Sequence, residues 1–375
     1  MAKEISKTHR EPLFHVLRRP SISFGKALFI RIAAILIAFV VCALISGVLV
    51  NNATPVSFFE SVFKGSFGTT RKIWKLFKDI SVLLCISLAI TPAFRMKFWN
   101  IGAEGQVLVG ALACAACMYY LNGKASDPVI IICMFAASVL AGMVWAGIPA
   151  LFKAQWNTNE TLFTLMMNYI ATYLVAYFLI KWTPNGSSSL GILPAGHLPR
   201  LGHEYLLIIV SVALLTVLVH IYLNYSKHGY EISVVGESEK TAKYIGINVK
   251  KVIIRTMLFS GALCGIAAFL IVGGLDHTVT ENTIGGLGFT AIMVSWLAKF
   301  KPFNMIFTSL LIVFLKQGAA QLSQDFDISS AFPNIVVGII LFFVIGCEFF
   351  INYQVHFNHH KKEKTASAAV SGEGN

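Results

Sequence analysis

The sequence predicts an all-α, polytopic membrane protein with about ten transmembrane helices and an inverted-repeat-like core. Three observations predict the class. Of 375 residues, 56% are hydrophobic and 13% charged, and the mean hydropathy is +0.71. The charged share is about half that of a soluble domain, and no soluble core hides so much apolar surface under a polar skin. The apolar residues come in near-continuous runs rather than in alternation, which favours helices over a membrane barrel. Lys and Arg gather between the runs, where they fix the orientation of spans. This composition excludes a soluble enzyme, a disordered tail protein and a secreted disulfide scaffold.

Ten spans follow in order, at roughly 27–50, 80–94, 104–121, 128–151, 161–181, 205–224, 256–274, 286–299, 303–320 and 333–351. Most have the ~20 residues that cross the hydrocarbon. The stretches 80–94 and 286–299 are too short to cross alone, so they are either buried within the bundle or parts of broken or re-entrant elements. The first run follows a basic segment with Arg18, Arg19 and Lys26 and has no small-residue cleavage site, so it reads as a retained span. Placing both termini in the cytoplasm puts most of the 30 basic residues inside, as the positive-inside rule requires. The exception is Arg71-Lys-Ile-Trp-Lys-Leu-Phe-Lys78, which reads as an interfacial amphipathic helix outside, ahead of the second span. Three regions follow: a cytoplasmic segment 1–26, a transmembrane domain 27–351 and a cytoplasmic tail 352–375 of polar, disorder-prone composition.

The net charge of +12 and pI of about 9.4 would point to nucleic acid in a soluble protein. Here they set topology, and no nucleic-acid partner is expected. The seven cysteines all lie in apolar runs. Cys114 and Cys117 have C-x-x-C spacing but read as small residues for helix packing. His359-His360 in the tail reads as solvated, and no metal site is expected.

Ile101-Gly102-Ala103-Glu104-Gly105 and Ile284-Gly285-Gly286-Leu287-Gly288 share the pattern I-G-x-x-G. They open the third and eighth spans, which run in opposite directions, as in the inverted repeats of transporters. Glycine-interrupted segments in matching halves point to a central binding site; close helix packing explains them equally. Gly261 and Gly265 read as packing alone.

Polar residues within lipid are costly and therefore partnered or functional. Asn100, Glu104 and Gln106 flank the first glycine pair, Asn159, Glu160, Thr161 and Asn168 open the fifth span, and Thr283 and Thr290 flank the second pair. Amides, hydroxyls and one carboxylate suit a neutral solute rich in hydroxyls. Trp99, Tyr169 and Phe289 are placed to stack on a base or to pack. Glu160 also fits a helix start stabilised by the dipole, and His220 and Glu348, near span ends, fit interfacial roles. The candidate substrate path is thus Asn100, Gly102, Glu104, Gly105, Gln106, Glu160, Asn168, Gly285, Gly288, Phe289 and Thr290.

No phosphate-binding loop, zinc-protease or serine-hydrolase motif is present, so no catalytic residue is expected and any ATP is hydrolysed by another chain. Between the sixth and seventh spans, Ser238 reads as an N-cap and Gly246 as the residue past a helix of about two turns. This segment, with Gly236, Glu239, Ala242, Lys243 and Gly246, is either a docking element for a partner or a solvated connector.

Several of these stretches together resemble a family. Asn100-Ile-Gly-Ala-Glu-Gly-Gln106 resembles the N-I-G-x-E-G-Q motif of permease subunits of bacterial ABC importers, in the branch that carries nucleosides and simple sugars. That branch is related to ribose and branched-chain amino-acid permeases. Asn159-Glu160 with Thr164-Leu-Met-Met-Asn168-Tyr-Ile-Ala171 resembles its N-E…T-x-M-x-N-Y-I-A run. Glu239 to Val249 resembles its cytoplasmic coupling segment, and Ser260 to Ala267 its S-G-A-L-A-G-L-A run. Gly286-Leu-Gly-Phe289 through Pro302 resembles its G-x-G-F-D region. The likeness spans residues 80–320 in order. It departs at Thr290, where the family has Asp, at Ser295-Trp-Leu-Ala298, where it has Ala-Leu-Leu-Gly, and at Ser238, where it has Pro.

The resemblance implies a permease forming half of a nucleoside path in the bacterial inner membrane. It implies three partners besides the bilayer: ABC ATPase subunits, a second permease, usually in a heterodimer, and an external substrate-binding lipoprotein. No cofactor of its own is implied. A simple-sugar permease is the alternative within the family, and an ion-coupled secondary transporter working through Glu104, Glu160 or His220 lies outside it.

Overall fold

The structure, a computed structural model, describes residues 14–18, 22–49, 55–183, 190–327, 329 and 331–357. The 182–204 connection is thus described only in part, and His359-His360 lies outside the described residues. Two compact units are present, residues 45–337 and a smaller one that joins 1–44 with 338–375.

The elements in chain order are β1 (Phe14–Arg18), α1 (Phe24–Leu49), α2 (Pro55–Phe67), α3 (Thr70–Arg95), α4 (Ala103–Leu121), α5 (Asp127–Trp156), α6 (Glu160–Trp182) and α7 (Leu206–Tyr225). They continue with α8 (Lys227–Glu237), α9 (Glu239–Tyr244), α10 (Val249–Ile271), a π-helical turn (Val272–Asp276), α11 (Leu287–Leu297), α12 (Pro302–Asp325), α13 (Phe332–Asn352) and β2 (Tyr353–Phe357). Among the described residues, eight helices, α1, α4, α5, α6, α7, α10, α12 and α13, are long and apolar enough to cross a membrane. The other two predicted spans are α3 and α11. The protein is an all-α membrane protein, as its composition requires.

The interfacial helix predicted at 71–78 is corrected: it is the opening of α3, continuous with the stretch 80–94. No Gly or Pro interrupts the chain between Thr70 and Pro92, so nothing separates the two parts. The Thr69 hydroxyl caps the helix, accepting the N–H of Lys72 at 3.3 Å. Every residue from Ile80 to Phe94 is buried. Its hydroxyls are satisfied within the helix: Ser87 donates to Leu83 O and Thr91 to Ser87 O, each at 2.7 Å. α11 is short, 11 residues or about 16 Å, half of a bilayer.

The core of the larger unit is a seam of small residues. A Cβ on Gly142 of α5 would stand 2.3 Å from the Gly261 carbonyl of α10, and one on Gly265 would stand 2.3 Å from the Ser138 carbonyl. Backbones this close exclude side chains, and close approach is how helices gain packing energy where lipid supplies no hydrophobic drive. The Gly261/Gly265 pair is part of this seam. Beyond α10 the chain is strapped down: Leu198 N–H donates to Gly273 O and Leu193 N–H to His277 O, both at 2.9 Å.

In the smaller unit, β1 and β2 pair antiparallel, Phe14 opposite Phe357, so residues 353–357 of the predicted tail form a strand. Arg31 Nε donates to Glu348 Oε1 at 2.9 Å, which gives this acid a partner at its span end.

Candidate functional site

The two I-G-x-x-G segments meet. Glu104, in the first turn of α4, points at the start of α11. Its Oε1 accepts the N–H of Gly286 at 2.8 Å and its Oε2 the N–H of Gly288 at 2.7 Å. No side chain of α11's own capping residue serves this end. The carboxylate of the other repeat takes that place, where a negative charge meets both free donors and the helix dipole. Gly285 and Gly286 hold φ of +57° and +79°, a region open to glycine. A Cβ on Gly288 would lie 2.7 Å from Glu104 N.

The amides around the first segment turn inward. Asn100 and Gln106 are fully buried, Asn168 nearly so. Gln106 Nε2 donates to Asn100 Oδ1 at 3.1 Å, and the same oxygen accepts Gly102 N–H at 3.1 Å. Asn168, on α6, accepts Gly105 N–H at 2.9 Å and donates to Ile101 O at 2.9 Å. Thr164 Oγ1 accepts Ile101 N–H at 3.2 Å. These side chains substitute for the ladder that the irregular chain of residues 96–102 lacks.

Glu160 stands apart from this network. At the start of α6 it pairs with Lys153 at 2.9 Å. Lys153 borders a groove of about 490 Å³ shared with Glu239, Lys243 and Lys250. Phe289, Met293 and Trp296 lie on one exposed face of α11, and Trp296 stands 5.6 Å from Trp99. Tyr169 is exposed on α6.

Thr290 and Gly285 line a cavity of about 350 Å³ bordered also by Lys78, Asp79, Lys316 and Gln317. The last four escape a reading by glycine pattern. The available signal was a lysine inside an apolar run, at position 316 of the span 303–320.

The connector at 238–246 folds as its caps dictate. Ser238 Oγ accepts Thr241 N–H at 3.2 Å, α9 follows, and Gly246 leaves it at φ +85°. Ala242 is fully buried and Tyr244 is 92% exposed. On α8, a Cβ at Gly236 would meet the Arg95 carbonyl at 2.3 Å, so α8 lies directly on the end of α3. Arg95 in turn donates to Leu223 O at 3.0 Å and Asn224 Oδ1 at 2.9 Å, and Glu231 pairs with Arg255 at 2.6 Å. Glu239 and Lys243 face the groove beside Lys153.

The apolar spans and the two glycine turns joined by one carboxylate define a polytopic helical membrane protein. Residues 73–345 match the family described as branched-chain amino acid transport system / permease component, and the chain belongs to that family. It is similar to the guanosine ABC transporter permease protein NupP of Bacillus subtilis (strain 168), 28% identical over 90% of this chain and 97% of the relative. It is also similar to the glucose ABC transporter permease protein TsgB13 of Haloferax volcanii, 25% identical over 86% and 88%. A third relative is the nucleoside ABC transporter permease protein NupB of Lactococcus lactis subsp. cremoris, 24% identical over 85% and 91%.

Proposed function

We propose that this chain is the permease subunit of a bacterial ABC importer and forms half of the path by which nucleosides cross the plasma membrane. Its termini lie in the cytoplasm. A second permease completes the core, an external binding lipoprotein delivers the solute, and ABC ATPase subunits hydrolyse the ATP. The observation that carries this reading is the near-full-length likeness to guanosine and nucleoside permeases, on a chain whose two glycine turns meet at Glu104.

The mechanism follows the contacts. α9 sits in the ATPase groove by its outer side, with Glu239, Lys243 and the exposed Tyr244, while the buried Ala242 packs it against its own chain. A push on α9 passes through α8 to Arg95, because Gly236 leaves no slack there. Arg95 leads directly into residues 96–102, whose position the Asn100, Gln106 and Asn168 bonds transmit to Glu104. Through Glu104 the displacement reaches α11 in the other half. The path lies along Gly285, Thr290 and the exposed Phe289 face, with Gly102, Gly105 and Gly288 allowing the two turns to close on each other.

The similarity to a glucose permease, and Thr290 in a cavity position, favour a simple sugar as the second reading. Uptake of labelled guanosine, ribose and glucose by the reconstituted complex separates the two. Guanosine import above ribose and glucose is expected; ribose or glucose import with every nucleoside ignored replaces the nucleoside by the sugar.

A further inference from the structure

Lys316 is a charge that the coupling scheme leaves unused. At 1.5 Å per residue it lies about 21 Å from Pro302 and about 13 Å from Asp325, deep within α12 from either end. An ammonium at such depth is expensive unless it faces water or a partner, and such residues mark solute pathways. Among the described residues Lys316 makes no ion pair. It borders the cavity of about 350 Å³, near the lower end of the roughly 300–1,000 Å³ typical of small-molecule sites.

The neighbours define what fits. Gln317 Nε2 donates to Asp79 Oδ2 at 3.0 Å, while Gln317 Oε1 is buried with no partner. A buried acceptor without a donor is rare in a folded protein and calls for one from outside. The other oxygen of Asp79 meets Lys78 at 2.8 Å. Thr290 spends its proton on Gly286 O at 3.2 Å and so presents an acceptor. Asp276 lines the same cavity. Three lysines, Lys75, Lys78 and Lys316, and two aspartates, Asp79 and Asp276, line it in all; with Lys78 held by Asp79, it offers ammonium donors from Lys75 and Lys316 beside two acceptors. Gly285, Leu287 and Thr290 of the lining flank the Gly286 and Gly288 N–H groups that Glu104 accepts, which sets the cavity beside the junction of the two glycine turns.

We propose that this cavity is the chain's own solute chamber, with Lys316 and Gln317 as its specificity-determining pair. Its ligand is a neutral solute carrying a carbonyl or ring acceptor together with hydroxyl or amide donors. The proposal rests on the import reading above, and a nucleoside meets the description: its acceptor takes the Lys316 proton and a hydroxyl or N–H serves Gln317 Oε1.

The test uses the intact reconstituted transporter and first establishes which of guanosine, ribose and glucose the wild type imports. Ala320→Cys, on the cavity wall, is then made in a chain whose native cysteines are replaced, and treated with a small hydrophilic thiosulfonate. We expect the thiol to react and the imported solute to slow the reaction. Lys316→Met and Gln317→Leu should each cut uptake about tenfold or more, the worth of a lost charge-assisted or orphaned bond, with the ATPase still bound. An unreactive thiol, no protection by the imported solute, or wild-type uptake in both variants overturns the chamber. Import of ribose without guanosine overturns the nucleoside alone, and the ribose arm then judges the chamber. If glucose is imported instead, the glucose arm judges the chamber; import of none of the three overturns both.

Discussion

At the scale of the residue, Glu104 shows how one side chain is given two jobs by its surroundings. It opens α4 and caps α11. Gly288→Ala should drive a methyl group into the Glu104 backbone, 2.7 Å away, and force the two turns apart. Transport should fall about tenfold or more, measured as solute uptake by the reconstituted complex, since a gap of this kind costs a charge-assisted bond worth roughly 1.5–3 kcal/mol. Glu104→Gln keeps one acceptor and loses the charge, so its loss should be smaller. Asn168→Ala acts differently. It orphans Gly105 N–H and Ile101 O, each costing about 1–3 kcal/mol when buried, so the purified protein should melt at a lower temperature than wild type. An unchanged melting temperature would show that water replaces the amide. The polar residues around the first glycine pair were visible in the sequence because lipid makes them conspicuous. Which backbone groups they serve was legible only for Asn100, whose partner Gly102 is two positions away; Asn168 and Gly105 are 63 apart, and Glu104 and Gly286 are 182 apart.

At the scale of the element, local chemistry was legible and continuity was not. Ser238 and Gly246 bracket α9 as their types require, because caps act within four residues. α3 was read as two pieces because its basic opening and apolar remainder look like different environments. A helix, however, ends where its backbone must, not where its polarity changes. Removing the cap by Ser238→Ala should cost about 1 kcal/mol and loosen α9 without unfolding the bundle, read as faster amide exchange at Thr241. Ala242→Glu places a charge at a fully buried position, and Gly246→Val puts a β-branched residue at φ +85°. Both should abolish solute-stimulated ATP hydrolysis by the complex while leaving the permease inserted. Normal hydrolysis in both would make α9 a connector only.

At the scale of the whole molecule, the proposed orientation rests on charge. α7 is 20 residues long, about 30 Å, enough for one crossing. Leu201→Cys before it and Tyr244→Cys beyond it, both exposed, should therefore react with an impermeant thiol reagent from opposite sides of the membrane, Leu201 from outside. Reaction of both from one side would remove a crossing from the scheme. The apolar runs and the two glycine turns could be read from the chain. The lysine at 316 was passed over, because a span's mean hydropathy conceals one charge among many apolar neighbours.

The glycine seam between α5 and α10 bears on how such a chain diverges. Where two main chains touch at 2.3 Å to an added carbon, every residue type but glycine is closed at once, whatever the solute. A saturation library selected for growth on the transported solute should return almost no substitutions at Gly142, Gly261 and Gly265, and selection on a different solute should collect changes on the Phe289 face of α11 while leaving those three glycines unchanged. Specificity is thus free to drift on one set of helices while the frame beside it stands still, and relatives that carry different solutes can share the same seam.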